Sequence, residues 1–217
     1  MKLYIPSPGD QPKKSTAKTS ADPLFNPFTI LVDTAEQQPY LFTGLHADAD
    51  RKSRALVVAP GINLFRANLG RYPNSLGDYT LAEFMGRCHI ERKSQEDAYG
   101  TILGFSKIVE GQAIGDTERR KRFESELVNL SNIEAGCVIV ECSEGRLYDE
   151  APEYDLGKKT AALNRKILHR SLIAWRQDYP AKWIFCDTRR LAEETAFRFL
   201  ERFFDKHRTK RQSNASK

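Results

Sequence analysis

The chain has 217 residues, 40% hydrophobic and 29% charged, with a net charge of +5. That is an ordinary balance for a globular domain, and the length favours one full core over two small ones. No run of about 18 apolar residues occurs, so no membrane span is expected, and "MKLYIPSPGDQPKK" lacks the apolar stretch of a secretory signal.

The charge is uneven. Residues 1–22 carry four Lys against two Asp, residues 206–217 carry five Lys or Arg and no acid, and the rest of the chain sums to −2. Both ends are rich in Ser, Thr, Gln and Lys, which predicts a disordered basic arm over 1–24, a folded domain over 25–205 and a disordered basic tail over 206–217. Lys206, Arg208, Lys210 and Arg211 in that tail are candidates for phosphate-backbone contacts through counterion release. Charge alone accords equally with a solubilising tail.

Between the ends, "FTILVD" (28–33) and "RALVVA" (54–59) are apolar runs of strand length. "TLAEF" and "RCHIERK" read as two arms of a hairpin with Gly86 near its turn. Ser94 and Asp97 fit a capping box that opens a helix. A second helix starts near Thr117, with Phe123, Leu127 and Leu130 along one stripe. "GCVIVE" (136–141) is a strand, 158–178 a helix stopped by Pro180, "KWIFCD" (182–187) a last strand, and 188–204 a final helix. The pattern predicts one α/β domain with a central mixed sheet flanked by helices. Cys88, Cys137, Cys142 and Cys186 form no C-x-x-C pair, as expected of free buried thiols in a reducing cytoplasm.

The stretch "SLGDYTLAEFMGRCHIERKSQED" (75–97) concentrates ionisable groups at the end of an apolar run. Alternate residues of a strand share a face, so Glu91 and Lys93 point one way and Arg92 the other. A carboxylate from the adjacent strand end, Asp78, would meet Glu91 around a hard divalent cation such as Mg²⁺. Lys93 beside it would orient or help deprotonate a metal-bound water and neutralise charge on an attacked phosphate. An E-x-K alone is a weak signal, since Asp50-Arg51-Lys52 offers a decoy, and Glu91 with Lys93 also reads as a surface pair worth roughly 0–1 kcal/mol.

The longer string carries more. "GDYTLAEFMGRCHIERKSQED" resembles the GDY…ERKxxxD signature of the XPF family of structure-specific DNA nucleases, within the PD-(D/E)XK superfamily. Gly77-Asp78-Tyr79, Glu91-Arg92-Lys93 and Asp97 fall in place and in order. "ILVDTAEQQP" is similar to the family's D-x-R-E strand through Asp33 and Glu36, and "RRKRFESELVNLSNIEAGCVIVE" to its R-F-x-x-E-L helix and following strand. The resemblance covers roughly residues 28–204 and is closest to stand-alone bacterial and prophage members, which share the "IAW", "CDxRR" and "LERFF" endings.

This resemblance implies a restriction-endonuclease-like fold and a DNA endonuclease that acts at branched or flap structures. Asp78 and Glu91 would bind Mg²⁺ or Mn²⁺ and Lys93 would be catalytic. Arg92 and Asp97 would support the site, Arg92 also touching DNA, with Asp33 and Glu36 as outer participants. Phe197, Phe199, Leu200, Phe203 and Phe204 crowd more than one face of the last helix; core packing accounts for most of them, and the resemblance also implies a homodimer or a partner subunit there. Ala35 stands where the family has the arginine of D-x-R-E, and no helix-hairpin-helix pair follows, so a weaker and less structure-selective grip on DNA is expected, with hydrolysis itself less affected. A non-catalytic DNA-binding partner subunit is the alternative, against which an intact Asp78/Glu91/Lys93 set argues. No ATP site is expected, because "LGKKT" (156–160) has Pro152 in place of the first P-loop glycine. His46, His89, His169 and His207 have no metal-ligand spacing.

Overall fold

Period-two alternation of apolar residues about one sheet organises the chain. The computed structural model describes residues 28–45, 63–71, 77–155 and 157–215, with side chains as far as Arg208. In chain order the strands are β1 (Thr29–Asp33), β2 (Asn63–Ala67), β3 (Tyr79–Leu81), β4 (Cys88–Lys93), β5 (Phe105–Val109), β6 (Gln112–Gly115), β7 (Ala135–Val140) and β8 (Lys182–Phe185). The helices are α1 (Gln95–Leu103), α2 (Thr117–Ser131), α3 (Glu144–Asp149), α4 (Ala161–Asp178) and α5 (Arg189–Ala215). Six strands form a mixed sheet in the order β2-β1-β3-β4-β7-β8, and β5 with β6 makes a separate hairpin.

The alternation assigns side chains to two cores. Cys88 and Ile90 of β4 and Cys137 and Ile139 of β7 face α5, packing with Ala196, Phe197, Leu200 and Phe204. Val138 and Val140 face the opposite way, into a core with Tyr99, Phe123, Leu127, Leu172 and Trp175 from α1, α2 and α4. The four cysteines are buried and free.

Local chemistry sets the helix starts. Ser94, Asp116, Ser143 and Thr160 each accept a bond from the backbone N–H three residues on, which caps α1, α2, α3 and α4. The helix expected from 158 therefore begins at Ala161, behind its Thr160 cap. The hairpin turn uses Glu110 and Gly111, both at positive φ (50° and 75°), the handedness a two-residue β-turn needs. β3 and β4 pair antiparallel as the expected hairpin, with a 3₁₀ turn at Ala82–Phe84 between them.

The sequence reading does not contain β2, the β5–β6 hairpin or α3. "RALVVA" lies outside the described residues, as do the 1–24 arm and the Asp50-Arg51-Lys52 decoy. The last helix runs past Phe204 to Ala215, through Lys206 where composition sets the start of a disordered tail. No described helix is long and apolar enough to cross a membrane.

Candidate active site

The site lies where three strand ends meet. Asp33 N at the end of β1 donates to Asp78 O, and Asp78 N donates to Ile90 O of β4, both at 2.8 Å. Gly77 makes this approach feasible: its φ is +103°, and a Cβ there would stand 2.8 Å from Ile90 O. Asp78 then receives Arg92 N–H on its Oδ2 at 2.7 Å. Burial pushes its carboxyl well above the usual carboxylate range, and the charge of Glu91 pushes it further. The Arg92 N–H and Lys93 pull it back.

Glu91 and Lys93 share the face turned to α1 and α2. Lys93 Nζ donates to Glu91 Oε1 at 2.7 Å and reaches Asp97 Oδ2 at 3.2 Å. It also sits over the Phe123 ring, 4.7 Å from its centre. Burial opposes the ammonium charge, but Glu91, Asp97 and Glu126 outweigh it and hold Lys93 above the usual lysine range. Lys93 is a firmly protonated cation here, suited to electrostatic stabilisation rather than to taking a proton.

Arg92 faces α5. It is forked onto Glu141, Nε to Oε1 at 2.7 Å and Nη2 to Oε2 at 3.1 Å, while Nη1 reaches the Glu36 carboxylate at 3.2 and 3.3 Å. Arg189 joins from the start of α5, Nη1 to Glu141 Oε1 at 2.9 Å. Both guanidinium groups lie over the Tyr40 ring. The structure thus gathers Asp78, Glu91, Lys93 and Asp97 into one cluster and puts Arg92 and Glu36 behind it. Asp33 is adjacent through its backbone, with its Oδ1 accepting from Ala35 N at 2.9 Å. The loop it starts is held by Arg66 of β2, whose Nη2 donates to the carbonyls of Asp33, Thr34 and Glu36.

The sequence reading assigns Glu126 no role in the site, and it takes Arg119 only as part of a basic patch, Arg119-Arg120-Lys121-Arg122, that rivals the tail for DNA contacts. Glu126 projects from α2 on the same stripe as Phe123, and its carboxyl is pushed up to about 7 by burial, then by Glu91 and Asp97. The R-F-x-x-E-L pattern contains it, but only packing of α2 brings it to Lys93. Arg119, one helical repeat earlier, bonds Asp97 through Nη2. Its three basic neighbours are also paired: Arg120 with Glu124, Lys121 with Glu118 and Arg122 with Asp116.

Among the described residues no three His, Cys, Asp or Glu side chains converge on one metal position. Two carboxylates whose negative charges act on one another still match the oxygen donors of a hard divalent ion that keeps several waters. His89 is a structural histidine, its Nε2 accepting from Gly86 N at 3.0 Å and burial holding it down to about 4. Of the proposed phosphate contacts, Lys206 lies 3.9 Å from Glu134, Arg208 lies over Phe204, and Lys210 and Arg211 continue α5.

No family model matches this sequence, and no curated protein does. Among solved structures, one of XPF from Aeropyrum pernix in complex with DNA aligns with a TM-score of 0.45 at 16% identity, over 82% of this chain and 66% of that one. A second structure of XPF from Aeropyrum pernix aligns with a TM-score of 0.44 at 15% identity, over 87% and 68%. The chain spans about two thirds of the length of those structures.

Proposed function

We propose that this protein is a divalent-metal-dependent endonuclease that hydrolyses DNA phosphodiester bonds, with branched or flap DNA as its substrate. The observation that carries the reading is the meeting of Asp78, Glu91 and Lys93 on one face, at adjacent strand ends, from chain segments 13 residues apart. Asp78 and Glu91 would hold Mg²⁺ or Mn²⁺, which supplies Lewis acidity toward phosphate and acidifies water. Lys93, kept cationic and desolvated, stabilises the charge that builds on the phosphoryl oxygens. Asp97 holds Lys93 from the other side. Arg92 is a structural anchor for the strand end that presents both.

The test is incubation of the protein with single-stranded, duplex, flap and fork DNA, with Mg²⁺ or with EDTA. Metal-dependent cutting that is lost in Asp78→Asn and Glu91→Gln, with fold retained and Mg²⁺ binding weakened, is expected. Wild-type rates in either variant would overturn the assignment.

A homodimer through the last helix belongs to the same proposal. A groove of about 740 Å³ runs between the edge strand β8 and α5, lined by Ile184, Leu191, Phe199 and Phe203 with Lys182 and Arg202. Its apolar floor and the place of β8 at the edge of the sheet among the described residues suit a second copy. Sedimentation of the wild type against Phe199→Asp decides this: a monomeric wild type refutes it.

A further inference from the structure

The Arg119 side chain crosses from the first turn of α2 to α1 and ends beside the candidate catalytic cluster. Its Nη2 donates to Asp97 Oδ1, and its Nη1 donates to Phe105 O at 3.2 Å. Asp97 passes the contact on through its other oxygen, which meets Lys93 Nζ at 3.2 Å. Lys93 in turn donates to Glu91 Oε1 at 2.7 Å. The four groups form one continuous chain of charge-assisted contacts, Arg119 to Asp97 to Lys93 to Glu91.

The surroundings are shaped for this arginine. Gly100, buried in α1, leaves the space it fills, since a Cβ there would stand 2.7 Å from Arg119 Nη1 and 2.8 Å from Phe105 O. The Phe105 carbonyl belongs to the first residue of the β5–β6 hairpin, so the hairpin base fixes one prong of the guanidinium while Asp97 takes the other. A planar fork satisfies both directions at once, which a lysine ammonium on a flexible stem does not. Asp97 needs such a clamp: its side chain is 34% exposed, against 9% for Glu91 and 11% for Lys93. Unclamped, its carboxylate turns toward water, and Lys93 loses the second of its two direct carboxylate contacts, keeping only the one to Glu91.

We propose that Arg119 is a positioning residue for Lys93, acting through Asp97, and that the β5–β6 hairpin holds Arg119 in place. The inference rests on the nuclease reading for the purpose of the lysine, but not for the existence of the link. With Arg119 gone, Lys93 shifts away from the position where it meets the phosphate. A displacement of about 1 Å costs up to about 10²-fold in rate.

The experiment is a double-mutant cycle with an independent spectroscopic arm. Arg119→Gln, which keeps much of the aliphatic stem, is expected to lower kcat by about 10- to 100-fold with KM for DNA nearly unchanged. In a Lys93→Ala or Asp97→Asn background the same substitution is expected to cost less than about twofold, because the link is already cut. Losses that multiply in those backgrounds, or a change confined to KM, overturn the proposal. The second arm uses NMR of the protein with ¹³C-labelled lysine, in EDTA, with the Lys93 signal assigned by its loss in Lys93→Ala. That signal is expected to move in Arg119→Gln and in Asp97→Asn, and a signal unmoved in Arg119→Gln overturns the proposal. If the wild type does not cut DNA with any divalent metal, the nuclease reading falls while the NMR arm still decides the link.

Discussion

Arg92 and Lys93 are neighbours in the chain and serve opposite faces of the sheet. The guanidinium lies between Glu36 and Glu141, and the ammonium lies between Glu91 and Asp97. Arg92, Glu36 and Glu141 have side chains only 8–9% exposed, so removing the arginine takes the ion-pair partner from buried Glu36 and leaves buried Glu141 with Arg189 alone. Arg92→Leu is expected to cost about 3–5 kcal/mol in urea unfolding. A loss below about 1 kcal/mol would mean that the network is not a structural anchor.

Lys93 is expected to behave differently. Lys93→Ala should slow DNA cleavage by orders of magnitude while Mg²⁺ still binds, whereas Lys52→Ala, in the rival Asp50-Arg51-Lys52 motif, should match the wild type. Equal losses in both variants would show that general charge, not the Lys93 position, matters.

The two faces of β4 were legible in the sequence because strand side chains alternate by backbone geometry alone. Glu91 and Lys93 together, with Arg92 apart, follow from that period. β1 and β7 were legible for a different reason, as short apolar runs of strand length. β2 was not legible: Asn63, Leu64, Phe65, Arg66 and Ala67 are all half-buried and carry no clean pattern. The β5–β6 hairpin was missed because β5 buries only Phe105 and leaves the next four residues exposed. Arg119, Glu126 and Glu141 reach the site through helix packing and strand pairing across 22 to 49 residues, which no local spacing encodes.

Glu126 predicts a pH effect. Its carboxyl rises from an ordinary value of 4.5 to about 7 in the folded protein, so the folded state holds this proton more tightly than the unfolded chain. The stability this provides is complete below about pH 4.5 and is lost as pH rises through about 7. Measured in EDTA, wild-type stability should fall by up to about 3 kcal/mol more than that of Glu126→Gln across this window. Parallel curves for the two proteins would refute the assignment.

The basic end of the chain predicts a salt effect. Deleting residues 208–217 removes Arg208, Lys210, Arg211 and Lys217. If all four meet phosphates, the slope of log affinity against log salt should flatten by up to about 3–4. Turnover at saturating DNA should stay the same, because the cluster around Glu91 is untouched. An unchanged slope would assign DNA contacts to the folded domain.

Cys88 and Cys137 sit on β4 and β7, the two strands that pair in parallel beneath the candidate site, and both are fully buried against α5. Burial raises both thiols, Cys137 to about 12, so neither presents a thiolate at neutral pH. A thiol-reactive dye can reach them only when that strand pair opens or α5 lifts away. The protein therefore carries its own clock: the labelling rate of Cys88 and Cys137 times the breathing of the strand that bears Glu91 and Lys93, and any ligand that grips this strand end will slow it.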